Sequence, residues 1–258
     1  MTTTATNVEE RAANGQLAPS TKSTETPKKH LPARPLLWFV NGIVKRSGFL
    51  KQAAIDLFEN IYYDSKSSTW DNTSWFGVPC KKYPTDMWIY QEIIFRNRPD
   101  VIIETGTLHG GSALYLASLL DLIGHGRVIS IDLEFREGRP EHDRITYITG
   151  SSTSPSVITR LEPLLRDSVS RMVILDSDHS KAHVEEEMRI YSQFVTLGQY
   201  LIVEDSAVNG HPVYPKFGPG PFEAIRSFLK DRDDFTVDKS KEKFLLSANH
   251  SGNLRRVK

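Results

Sequence analysis

Five short β-rich runs dominate residues 101–205: Val101-Ile102-Ile103, "RVISID" (127–132), "ITYITG" (145–150), "RMVILDSD" (171–178) and "YLIVED" (200–205). In the first of them consecutive residues are apolar, so both faces of the strand need cover, as in a buried parallel strand. Helical stretches separate most of the runs, "SPSVITRLEPLLR" and "HSKAHVEEEMRIYSQFV" among them. Strand–helix alternation of this kind means βαβ units and a parallel sheet with helices on both faces. A helix is expected around Met87 to Arg96 and another at "FEAIRSFLK", and "DFTVDK" with "KFLLSANHSGNLRRV" is expected to close the sheet as an antiparallel pair. In open sheets of this class, ligands lie outside the carboxyl ends of the strands.

The turn after the first run is the most informative one. "VIIETGTLHGGSALYLASLL" (101–120) reads as strand, glycine-rich turn and helix, with Ala113, Leu116, Ala117 and Leu120 at helical spacing. It is not a dinucleotide fingerprint, because Gly106 is followed by Thr107 and Leu108. Nor is it a triphosphate loop, because Ser112 stands where that loop needs lysine. What remains is a helix N-terminus beside the carboxylate of Glu104. A carboxylate there repels phosphate and attracts an ammonium or ribose hydroxyls. S-adenosylmethionine offers both and carries no phosphate. The bland alternative is a turn that only joins strand to helix.

Four strand ends carry acids: Glu104, Asp132, the pair Asp176/Asp178, and Glu204-Asp205. Asp132 ends the second core strand, where an acid can accept both ribose hydroxyls of a nucleoside. Asp176, Glu204 and Asp205 would meet if their strands are neighbours, and would then offer hard oxygen ligands to Mg²⁺ or a similar divalent cation. A hydrogen-bonded cluster without metal is the alternative, though crowded carboxylates call for some counter-charge. His179 and Lys181 follow Asp178 closely and either is a candidate base. His183 reads as a helix-surface residue. His211 opens a glycine-proline loop, which is either shaped by it or folds over the pocket. Trp70, Trp75, Phe76, Trp88 and Tyr90 either wall an acceptor pocket or are plain core.

Charge and composition exclude other classes. The 32 basic and 32 acidic residues cancel, so no nucleic-acid or anionic-membrane partner is expected. The single cysteine, Cys80, excludes an intramolecular disulfide and a cysteine-rich zinc site. No segment approaches the ~18 apolar residues of a membrane span, and the first residues lack a secretory core, so a cytoplasmic protein is expected. Residues 1–30 read as a disordered tail and 31–69 as a helical extension, with one or two amphipathic helices over 35–64. Residues 70–258 read as the catalytic domain. The apolar extension predicts a homodimer or higher homo-oligomer.

With these residues in view, the chain resembles the cephalosporin hydroxylase family and is similar to its sugar O-methyltransferases of the rhamnosyl type. The resemblance runs from about Trp70 to Arg256. Its carriers are "WDNTSWFG", "YQE", "ETGTLHGGSALY", "ILDSDHSKAHV", "LIVEDSAVNGHPVYPKFGPGPFEAI" and "NLRRV". It implies a Rossmann-like class I methyltransferase with a mostly parallel seven-stranded sheet, moving a methyl group from S-adenosylmethionine to a hydroxyl or carboxylate oxygen of a small molecule. It implies cofactor contacts from Glu104, Gly106, Thr107, Gly110, Ser112, Asp132, Ser151, Asp176 and Asp178, and metal ligation by Asp176, Glu204 and Asp205. Relatives often carry a lysine close behind the first metal-binding acid; here Asp176 is followed by Ser-Asp-His-Ser-Lys, which leaves His179, Asp176, Lys181 and Asp178 to share any acid–base role. The competing readings are a hydroxylase and a catalytically silent partner subunit. The hydroxylase needs a facial triad, and the only H-x-[DE] is His183-Val-Glu185, on an expected helix.

Overall fold

A computed structural model describes residues 34–258. The tail expected to be disordered, 1–30, lies outside the described residues. Two helices occupy the expected extension: α1 (Arg34–Arg46), and α2 (Gly48–Asp64), which starts where the Ser47 side chain accepts a hydrogen bond from the N–H of Leu50 at 3.3 Å. The tryptophan-rich segment holds a hairpin that periodicity did not reveal, β1 (Ser74–Trp75) and β2 (Val78–Pro79). Strands of two residues are too short to show a pattern. Then α3 (Pro84–Asn97) takes in the expected Met87–Arg96 helix, with proline in its first turn.

The main sheet has seven strands: β3 (Val101–Thr105), β4 (Arg127–Asp132), β5 (Ile145–Thr149), β6 (Arg171–Leu175), β7 (Tyr200–Val203), β8 (Phe235–Val237) and β9 (Asn253–Arg256). Their order is β5-β4-β3-β6-β7-β9-β8. The first five are mutually parallel, and β9 runs antiparallel between β7 and β8. The α/β class and the antiparallel C-terminal pair are as expected, with one refinement. Only Asn253–Arg256 of the last segment is strand; residues 243–252 are turns that fold back against α3 and α2 through Asp86 and Glu59.

The period-two geometry of a strand explains the unbroken apolar runs. Val101, Ile103, Ile129, Ile131, Val173 and Leu175 fill one core, while Ile102, Val128, Met172 and Ile174 fill the other. Four helices follow in the chain: α4 (Gly111–Ile123), α5 (Pro155–Leu161), α6 (Lys181–Tyr191) and α7 (Pro221–Leu229). The first core is closed by Val157, Val184 and Ile225 from α5, α6 and α7, the second by Ile93 and Leu116 from α3 and α4. Each fully buried Val or Ile contributes about 1.5–3 kcal/mol. A charged residue inside this sheet therefore needs a reason, and Glu104 sits within β3 in register with Ser130 and Ile174. Among the described residues no helix is long and apolar enough to cross a membrane.

Candidate active site

Chain order turns around between β3 and β6: β4 and β5 extend the sheet on one side, β6 and β7 on the other. The loops leaving the two strands diverge there, and a cleft of about 710 Å³ opens at the carboxyl ends. Its wall includes Trp70, Gly106, Asp132, Ser151, Asp176 and Asp205. Gly106 has φ +88°, and a Cβ on it would stand 1.8 Å from the carbonyl oxygen of Asp176. The β3–α4 turn thus lies directly on the end of β6, and only glycine fits. Thr107 and Ser112 also line the cleft. Gly110 starts α4 with φ +82°, set against Pro140 instead of the cleft.

Glu104 is 1 % exposed and lies beneath this turn. Its Oε2 accepts from the Ser130 hydroxyl at 2.6 Å, and Ser130 is 2.7 Å from the Thr107 hydroxyl. Its Oε1 is buried without a hydrogen-bond partner among the described residues. Burial raises the carboxyl's pKa, against the pull of the Lys82 ammonium and the hydroxyls of Ser112 and Ser130. Asp132 is already well occupied: Oδ2 accepts from the N–H of Leu108 at 2.6 Å and faces Arg139 at 3.0 Å, and Oδ1 accepts from the N–H of Glu134 at 3.0 Å. A carboxylate has about four acceptor positions, so room is left for one ribose hydroxyl and not both. Asp178 lines the cleft but is turned to the chain before α6, its Oδ1 taking the Ser180 N–H at 2.7 Å.

The acids at the ends of β6 and β7 meet, in an arrangement different from the expected one. Ligand atoms of Asp176, His179 and Asp205 lie within 4.8 Å of one another. His179 Nε2 is 3.2 Å from Asp205 Oδ2 and 3.9 Å from Asp176 Oδ1. Burial works to lower the imidazole's pKa, but Asp205, Asp176 and Glu204 outweigh it and raise it. Glu204, expected beside them as a ligand, is 4 % exposed and turned away: Tyr90 donates to its Oε1 at 2.8 Å, and Oε2 lies 2.6 Å from Lys82 Nζ. Adjacent residues diverge because Asp205 adopts φ +54°, its N–H donating to Asn249 Oδ1 at 3.1 Å. Left-handed backbone in a residue other than glycine is strain of the kind held at functional sites. Lys181 is not brought to the site. It starts α6 pointing outward, 3.4 Å from Glu185 one turn on, and does not line the cleft.

Several residues at the site escaped sequence reasoning. Lys82 is the first; its ammonium bridges Asp176 and Glu204. The only local signal was alternation in "CKKYP", where Cys80 and Lys82 turn inward while Lys81 pairs with Asp71 at 2.8 Å. His183, read as a surface residue, lines the cleft between the hydroxyls of Ser152 at 3.3 Å and Ser177 at 3.1 Å. It sits in the first turn of α6, where the helix meets the strand ends, not mid-helix. Of the five aromatic candidates only Trp70 lines the cleft. Trp75 packs on Tyr115 at 4.9 Å, Tyr90 is buried, and Phe76 and Trp88 face outward. Burial pushes the Cys80 thiol up to about 12, so it is no nucleophile.

The glycine-proline loop is fastened rather than hinged. Glu223, in the first turn of α7, accepts from Gly220 N at 2.8 Å and Asn209 Nδ2 at 3.0 Å and lies 2.8 Å from His211 Nε2. His211 therefore shapes the loop. Burial tends to raise the Glu223 pKa, but these donors outweigh it and hold it at about 2. An unfolded Glu titrates near ~4.3, so this contribution to stability is complete above that pH and is lost as pH falls toward 2. The melting-temperature difference between wild type and Glu223→Gln should shrink across that window. A difference constant from pH 6 to 2 would show that the loop does not depend on this carboxylate.

Comparison with known proteins gives concordant findings. The family model described as Rhamnosyl O-methyltransferase/CmcI matches residues 67–257. The rhamnosyl O-methyltransferase of Mycobacterium leprae is 39% identical over 179 residues, 67% of this chain and 78% of that protein. Its counterpart in Mycobacterium bovis is 38% identical over 191 residues, 72% of this chain and 76% of that protein. An apo structure of CmcI is 25% identical with a TM-score of 0.56, covering 73% of this chain and 77% of the other. A CmcI structure with Mg and SAM is 23% identical with a TM-score of 0.57, a likeness of fold, over 73% and 78%.

Proposed function

Because the chain belongs to the rhamnosyl O-methyltransferase/CmcI family, we propose that it transfers a methyl group from S-adenosylmethionine to an oxygen of a small molecule, with glycosides the first acceptors to test. One observation carries the cofactor. A buried carboxylate oxygen on Glu104 lacks a partner, directly beneath a turn in which only glycine fits. Leaving such a group unsatisfied costs about 1–3 kcal/mol or more, and an incoming ammonium removes that penalty. The test is calorimetric titration with S-adenosylmethionine, followed by mass spectrometry of glycoside, hydroxylated and dicarboxylic acceptors incubated with it. A chain that gives neither binding heat nor a methylated product refutes the proposal; binding without any transfer supports the silent partner subunit.

S-adenosylmethionine supplies, when bound, an electrophilic methyl group on a sulfonium. Glu104 would take the ammonium, and the turn through Gly106, Thr107 and Ser112, which line the cleft, would let the ligand approach the backbone; Gly110, set against Pro140, is not among these contacts. Asp132 takes a ribose hydroxyl, with Ser151 beyond it. Asp132→Ala should therefore weaken cofactor binding by about 1.5–3 kcal/mol; an unchanged dissociation constant, with native circular dichroism, removes that role.

The carboxylates at the ends of β6 and β7 suit a divalent cation such as Mg²⁺. Such an ion, when bound, would orient an acceptor hydroxyl and lower its pKa. Asp176 and Asp205 would hold it, and His179, steadied by Asp205, takes the acceptor's proton. A carboxylate acceptor needs no base. The hydroxylase reading has no support in the geometry: His183 faces the cleft while Glu185 pairs with Lys181 on the surface.

Residues 70–258 would form the catalytic domain and 31–69 the extension. On α2 an outward stripe of Leu50, Leu57, Phe58 and Ile61 stays exposed, three of the four by more than half. Covering it in a homodimer or higher homo-oligomer would remove that apolar surface from water. Wild type should scatter light as an oligomer and Leu57→Asp/Phe58→Asp as a smaller species; a monomeric wild type ends the idea.

A further inference from the structure

By sequence α2 belongs to the extension, and it precedes the segment 67–257 that the family model matches. By packing it belongs with the cleft, in one compact unit that runs from Val44 to Lys258. Three side chains in its last two turns fasten it. Glu59 is buried, accepts from the Ser247 N–H at 3.2 Å and lies 2.9 Å from His250 Nε2. Asn60 Nδ2 donates to the Pro212 carbonyl at 3.2 Å. Tyr63 packs on Ala207, Val208 and Val213, in the loop that follows Asp205. The last carbonyls of a helix have no partner within it, and two of these are taken by what comes next. The Thr69 hydroxyl donates to the Tyr62 carbonyl at 2.8 Å, and Trp70 Nε1 donates to that of Tyr63 at 3.1 Å. Trp70 is held a second time through its ring, stacked on Tyr63 with centroids 5.3 Å apart and 25° between planes. Tyr63 in turn stacks on Tyr214 of the glycine-proline loop at 6.2 Å and 29°. An indole fixed in this way has no N–H left for a ligand. What it brings to the cleft, in a wall shared with His179 and Asp205, is an apolar π surface.

We propose that α2 completes an acceptor subsite, in which Tyr63 holds the indole of Trp70 as a platform for the C–H face of a pyranose ring that turns a hydroxyl to His179 and Asp205. The ground is the pairing of two chemistries in one wall: an aromatic surface with no donor stands beside an imidazole and carboxylates. A ligand that satisfies both must be amphipathic across a single ring. A pyranose is such a ring, since its hydroxyls leave the edge while axial C–H groups make one face apolar. Bringing that face onto the indole removes apolar surface from water, and weakly positive C–H groups suit the negative face of an aromatic ring. Tyr63 acts through Trp70 and is a positioning residue; without it the indole keeps one tether instead of two. The inference rests on the acceptor reading given above and adds which part of the chain recognises the acceptor.

The test uses the full chain with S-adenosylhomocysteine present, titrated with the methyl pyranosides of glucose, galactose, mannose and rhamnose and followed by ligand-observed NMR, with catechol as the aromatic control. Wild type should bind at least one pyranoside, and bind it more tightly than catechol. Tyr63→Leu should weaken that binding about tenfold, the upper end for one aromatic stack, while the dissociation constant of S-adenosylhomocysteine stays within about twofold. Tyr63→Phe keeps the ring and should bind like wild type; Trp70→Leu should weaken pyranoside binding at least as much as Tyr63→Leu. Should one leucine variant not fold, the other decides. A folded leucine variant with the pyranoside affinity of wild type overturns the inference, as does a Tyr63→Phe as weak as Tyr63→Leu. So does a wild type that binds S-adenosylhomocysteine but no pyranoside, or that prefers catechol. Pyranoside binding by a chain that ignores S-adenosylhomocysteine supports the subsite and refutes the methyltransferase reading.

Discussion

Asp205→Ala is expected to lower kcat at least a hundredfold on a hydroxyl acceptor while changing the dissociation constant of S-adenosylhomocysteine by less than about threefold. The expectation follows from placement. Asp205 lines the cleft in a left-handed conformation, reaching His179 at 3.2 Å on the side away from Lys82. It is not among the groups that would hold the cofactor's ammonium or ribose. On the proposed reading, removing it would deprive a bound ion of one ligand and His179 of the carboxylate beside it. Each loss acts on the acceptor oxygen in the transition state, where a pre-organised group is worth about 2.7–4 kcal/mol, or 10²–10³ in rate. Chelator should reproduce much of the effect on wild type and add little to the variant. With a carboxylate acceptor the mutation still harms positioning, whereas chelator has little effect. Turnover indifferent to both treatments would show that Asp176, His179 and Asp205 are structural.

Glu104→Gln should weaken cofactor binding at least about 30-fold and leave the fold intact. Glutamine keeps the size and can still bond Ser130, so packing at a site 1 % exposed is preserved. What disappears is the charge that would face the ammonium. Truncating one partner of a buried charge pair costs about 2–5 kcal/mol, a weakening of about 30- to 5,000-fold. Burial without a full set of partners already strains Glu104 in the free protein, so the variant's melting temperature should hold or rise. Cofactor affinity retained by a natively folded Glu104→Gln would move the ammonium elsewhere and leave the unpartnered oxygen unexplained.

Much of this was legible in the sequence because it is local. Consecutive apolar residues specify a strand covered on both faces, so β3, β4, β6 and β7 could be read from a handful of positions. A glycine between strand and helix marks a turn that no larger residue can make, and Gly106 is such a position. Acids at the ends of parallel strands gather on one rim whatever the detailed order, which is why Asp176 and Asp205 were expected together. The direction of a side chain at that rim is another matter. Glu204 and Asp205 are neighbours in sequence, yet one faces Tyr90 and Lys82 and the other the cleft, because the backbone reverses hand between them. Lys181 follows His179 by two residues, but α6 begins between them and turns it out to Glu185.

Longer-range decisions were not in the sequence at all. Lys82 meets Asp176 across 94 positions and Tyr90 meets Glu204 across 114. No periodicity within either segment encodes such a pairing, since it depends on how α3 and the β1–β2 hairpin are laid against the sheet. The sequence by itself determined the sheet, its glycine turn and the presence of a carboxylate-rich rim, through propensities and patterns that act over a few residues. Tertiary structure alone decided which carboxylates are neutralised internally and which are left for a ligand. Charge compensation in a low-dielectric interior is settled by distance in space, and distance in space is fixed only once the whole chain has packed.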